Sequence, residues 1–101
     1  MADHFTGTPS PVPPAQMTEE TRSLLVQVAD TLERVAPDEV MNEGIRLARP
    51  LVVAERLHGK DTWAAYVAEQ DLLAAMPSVR DGQTRGEYAA LLRLIAEGVT
   101  A

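Results

Sequence analysis

The sequence predicts an all-α fold: a compact four-helix bundle behind a disordered, Pro-rich N-terminal tail. Three observations carry this. Apolar residues recur at helical spacing in four stretches, Pro and Gly signals separate those stretches, and no segment alternates polar with apolar as a half-buried strand does. The division that follows is a leader over residues 1–16 and a single helical domain over 17–101.

The leader holds Pro9, Pro11, Pro13 and Pro14, with only Phe5 and Val12 as large apolar groups. Proline removes backbone donors and biases its neighbours toward extended polyproline II, so the segment forms neither helix nor core. Pro11 and Pro14 make a P-x-x-P spacing, which reads as a flexible leader first and as a docking peptide for an aromatic groove second.

Helix 1 is expected from about Thr18 to Val35. Met17, Thr21, Leu24, Leu25, Val28, Ala29, Leu32 and Val35 share one face, with acids and Gln27 opposite and Val26 as the misfit. Glu19 and Glu20 suit the positive end of the helix dipole. Ala36-Pro37-Asp38-Glu39 reads as the start of helix 2, which continues to about His58. Its apolar residues, from Val40 and Met41 to Leu57, cover most of the circumference, so it is expected to lie in the middle. Pro50 predicts a kink or a break.

Gly59 is placed to end helix 2 and Asp61 to cap helix 3, which spans about 62–76. The apolar residues of helix 3 surround the cylinder, padded by Ala. Pro77 stops it, and Asp81-Gly82 turns the chain. Thr84-Arg85-Gly86-Glu87 matches a capping box opening helix 4 over about 84–97, with Tyr88, Leu91, Leu92, Ile95 and Val99 on one stripe.

Composition narrows the function classes. The 101 residues allow one domain, and the net charge of −6 gives no general attraction for nucleic acid. Cysteine is absent, which removes disulfides, thiolate nucleophiles and Cys-based metal sites. Of the 46% apolar residues, 15 are Ala, so the core is thin. No secretory signal and no apolar run near the roughly 20 residues of a membrane span is visible, so a cytoplasmic protein is expected.

Arg46, Arg49, Arg56 and Lys60 fall within about 80° of arc on a continuous helix 2. This ridge is the candidate partner- or anion-binding feature; the competing reading is a solvated side whose charges pair with Glu69 and Asp71. Glu39 and Glu43 are spaced for a shared metal, but the two His residues, His4 and His58, supply no matching Glu-x-x-His partners, so neither metal nor cofactor is expected. Ser10, Ser23 and Ser78 lie in no nucleophile motif, and no phosphate-cradling Gly loop is present, so no catalytic residue is assigned. Trp63 and Tyr66 are candidate interface aromatics, although burial of Trp63 in so aromatic-poor a core is the stronger expectation.

A thin core favours self-association. The sequence therefore points to a small acidic interaction or regulatory module, acting as a homodimer or as a docking subunit on another protein. The alternative is a DNA-binding regulator of helix-turn-helix type built from helices 62–76 and 84–97. Its connection is longer than the usual turn, and its second helix mixes Arg85 and Arg93 with Glu87 and Glu97. A small enzyme binding an anionic substrate ranks third.

Overall fold

The computed structural model describes residues 17–98 and places four α-helices there: α1 (Glu19–Arg34), α2 (Glu43–His58), α3 (Trp63–Ala75) and α4 (Arg85–Ala96). The leader expected over 1–16, and Val99 of the helix 4 stripe, lie outside the described residues. No strand occurs among the described residues, only a single antiparallel bridge between Val40 and Thr84. The fold is all-α, as the periodicity requires.

The helices touch chiefly as two pairs, α1 with α4 and α2 with α3, and α1 also touches α2 and α3. α1 follows its pattern closely. Thr18 caps it by accepting from the Thr21 N–H, and Thr21, Leu24, Leu25, Val28, Ala29 and Leu32 are buried. The misfit Val26 packs half-buried against the core, whereas Val35 is exposed. On α4 the capping box between Thr84 and Glu87 is formed in both directions, and Tyr88, Leu92 and Ile95 point inward.

Helix 2 departs from expectation in three ways. It begins at Glu43, capped by Asn42, whose Oδ1 accepts from Ile45 N at 2.8 Å, and not at Pro37. The residues between are held elsewhere. Pro37 O accepts from Gly86 N, Glu39 O accepts from Arg85 N, and Met41 N donates to Gln83 O, each at 2.8 Å. These bonds strap the α1–α2 connector across the first turn of α4, where backbone donors otherwise lack partners. A Cβ on Gly86 would stand 3.3 Å from Pro37 O, so a glycine lets the strap lie close.

Secondly, of the kink or break expected at Pro50, the break does not occur: residues on both sides of it belong to one helix. Thirdly, α2 is peripheral and not central. Only Pro50, Val53 and Ala54 are buried on it, while Leu47, Leu51, Val52 and Leu57 are exposed. An apolar surface nearly all round does not require burial all round when one neighbour and part of a second are all that the short chain supplies.

Gly59, at φ 95°, ends α2 as expected. The cap of α3 is Thr62, not Asp61: the Thr62 hydroxyl accepts from Ala65 N at 3.0 Å, while Asp61 takes a left-handed turn at φ 58°.

Candidate functional site

The four ridge residues do not form one surface. Arg46 turns onto the end of α3, where its Nε donates to Pro77 O at 3.0 Å and its Nη2 to Met76 O at 3.1 Å and Leu73 O at 3.4 Å. Its Nη1 pairs with Glu43. A cation here satisfies last-turn carbonyls that have no partner within their own helix and complements the negative end of the dipole. Tyr88 Oη donates to the same Pro77 carbonyl at 2.6 Å. Burial pushes the Tyr88 phenol up to about 12, with the neighbouring Arg46 pulling the other way. Arg46 is a structural clamp joining α2 to α3.

Arg49 is half-buried, and Arg56 and Lys60 are exposed. None of the three side chains makes a hydrogen bond or ion pair among the described residues, and Glu69 and Asp71 do not pair with them. Arg56 and Lys60 therefore remain available to an acidic contact, without the convergence that would hold a small dianion.

Trp63 lies 75% exposed, which corrects the expectation of burial. Its position on the outer side of the first turn of α3 is the cause, since the inward positions are Ala65, Ala68 and Leu72. The indole stacks on Tyr66, itself 50% exposed, with ring centroids 5.2 Å apart at 30°. Both rings stand together in water at the candidate interface. On α2, Leu47, Ala48, Leu51 and Val52 are exposed within about 140° of arc. Of the ten large apolar side chains exposed among the described residues, seven belong to α2 and α3. Sequence periodicity misses this surface because it marks which residues are apolar and not which have a neighbour.

The opposite pair is closed by charge. Arg93 of α4 bridges Asp30 and Glu33 of α1, and hydrogen bonds from Glu33 first and then Asp30 hold its guanidinium still more firmly protonated than usual. Along the outer side of α4 stand Glu87, Ala90, Leu94 and Glu97, and Arg85 is turned toward Glu39 of the strap. A concavity of about 480 Å³ beside the 77–83 loop is lined by Arg80, Asp81, Gln83, Glu87, Leu91 and Leu94, so no ridge residue faces it. A second, of about 390 Å³, lies between the start of α1 and the end of α4 around Glu19, Arg22, Arg93 and Glu97. No cluster of three metal-ligating side chains occurs among the described residues, and no described helix is long and apolar enough to cross a membrane. Comparison with family models, curated proteins and solved structures finds no match.

Proposed function

We propose that this chain is a small cytoplasmic interaction module that pairs with a second copy of itself through the outer side of α2. The observation that carries the reading is the stripe Leu47, Ala48, Leu51 and Val52, exposed on a helix whose other side is already packed. A contiguous apolar surface in water favours association, and a thin core gains most from it. Arg56 stands at the edge of the stripe and Glu55 within it, giving a second copy opposite charges to meet.

A helix-turn-helix regulator is the weaker alternative. A recognition helix meets DNA through its N-terminal residues. The first turn of α4 is strapped by the connector, and the side it exposes carries Glu87 and Glu97. α3 packs on α2 and not chiefly on α4. An enzyme for small anions is weaker still, because Arg46 is spent on backbone carbonyls.

Sedimentation equilibrium over a range of protein concentrations tests the reading. The full chain is expected to be dimeric, and Leu51→Glu is expected to leave a folded monomer. A parent chain that stays monomeric throughout overturns self-association. Binding to duplex DNA that weakens steeply with added salt would put the regulator first.

A further inference from the structure

The outer side of α2 differs from one end to the other. At about 100° per residue, Gly44, Ala48, Leu51 and Glu55 fall within about 60° of arc at its centre, and Leu47 and Val52 flank them. Gly44, Ala48 and Leu51 are exposed, and Glu55 is half-buried. Their spacing of four, three and four residues is that of the seam between two helices packed side by side. The seam is small where α2 starts, at Gly44 and Ala48, and bulky and acidic where it ends, at Leu51 and Glu55. No cation pairs with Glu55 among the described residues; its Oε2 accepts only from Asp61 N, at 3.3 Å.

We propose that α2 of one copy lies antiparallel to α2 of the second, about a two-fold axis that passes between Arg49 and Pro50. This direction rests on the self-association proposed for the stripe and adds to it. A parallel two-fold would set every seam residue against its own copy. Gly44 on Gly44 leaves a gap, and Glu55 on Glu55 forces like charges together where water is excluded. The antiparallel two-fold instead sets Leu51 over Ala48 and Glu55 over Gly44 of the second copy, large over small at each level. Gly44 has no Cβ, so the Glu55 side chain has room. The Glu55 carboxylate then stands at the start of the other α2, the positive end of that helix. At the rim, Arg56 comes level with Glu43 of the second copy, opposite in sign, whereas a parallel pair would set Arg56 level with Arg56. All of these pairs are centred on the same point, so one axis serves them together. Glu55 and Gly44 are the residues that decide the direction.

The chain has no Cys, so single cysteines report on the seam. Gly44→Cys and Glu55→Cys are oxidised separately and as a mixture, and the parent is sedimented alongside. A disulfide-linked dimer is expected in the mixture well above its level in either variant alone. In the antiparallel pair, copies of one position stand eleven residues apart, about 16 Å along the axis at roughly 1.5 Å per residue, too far for a disulfide. Linkage as strong in each variant alone overturns the antiparallel direction and leaves self-association through α2 standing. No linkage from a parent that sediments as a dimer overturns both the direction and the stripe, and a monomeric parent overturns self-association itself. Glu55→Gln gives a second reading without a cross-link. It is expected to raise the dimer dissociation constant by roughly threefold or more, with unchanged helical circular dichroism, because two carboxylates leave the positive ends of helices. An unchanged or lowered constant overturns the proposal, since relief of like charges is the mark of the parallel pair.

Discussion

The two helix pairs use similar material to opposite ends. α3 is the more apolar helix by composition, with ten of its 13 residues apolar, yet only Ala65, Ala68 and Leu72 are buried. α1 has six apolar residues in 16 and buries five of them, together with Thr21. Its partner α4 adds Tyr88, Ala89, Leu92, Ile95 and Ala96 to the same core. Segregation of apolar residues onto one side, more than their number, decides how much of a helix leaves water. The α1/α4 pair is therefore the half that holds the fold, and the α2/α3 pair is the half that presents surface.

The largest effect that contrast predicts is in α1. Leu25→Ala at a fully buried position is expected to cost about 3 kcal/mol in urea denaturation. A loss below about 1 kcal/mol there would mean that the α1/α4 core is not the stabilising half. Next comes the clamp between α2 and α3. Arg46→Ala is expected to cost about 2 kcal/mol, because backbone carbonyls at the end of α3 lose a charged donor. Arg56→Ala, the exposed control, is expected to stay within about 0.5 kcal/mol.

Tyr88 gives a smaller effect with a pH signature. Its phenol sits at about 12 in the folded chain, above the value of about 10 expected for the unfolded chain. Stability from the neutral, buried phenol is then fully present below about pH 10 and is lost as pH rises through 12. Tyr88→Phe is expected to cost about 1 kcal/mol at neutral pH, for the lost bond to Pro77 O, and to flatten that alkaline decline in circular dichroism. The smallest effect belongs to the exposed stripe. Leu51→Ala is expected to change monomer stability by less than about 1 kcal/mol while weakening self-association. A larger loss of stability would show that α2 is already covered within one chain.

Legibility in the sequence follows the same division. α1 is readable because Leu24, Leu25, Val28 and Leu32 point one way, and α4 because Thr84 and Glu87 form a local cap. The start of α2 is not readable. Pro37 and the acids after it carry a local helix signal, but backbone bonds to residues 83–86 outweigh that signal, and sequence spacing cannot report them. Arg46 fits a ridge by angle alone; its long stem lets the guanidinium swing to carbonyls at the end of another helix. Trp63 is ambiguous in principle, because an indole fills a core or anchors an interface with the same chemistry. The exposed pair of rings emerges only once the inward side of α3 is known to be filled by Ala65, Ala68 and Leu72.

The joining of α1 to α4 also dictates an order of assembly. Asp30 and Arg93 meet across 63 positions of sequence, and the strap that rests on Gly86 leaves α1 almost at once. Closing a loop that long is entropically costly, and folding slows as contacts become less local. During synthesis α1 emerges first with Leu24, Leu25 and Val28 in water, and its chief cover does not yet exist. The α2/α3 hairpin forms in that interval, offering α1 only a partial shield. The cooperative native state is therefore expected to wait for the fourth helix, because a chain interrupted before Arg85 lacks the chief cover of Leu24, Leu25 and Val28.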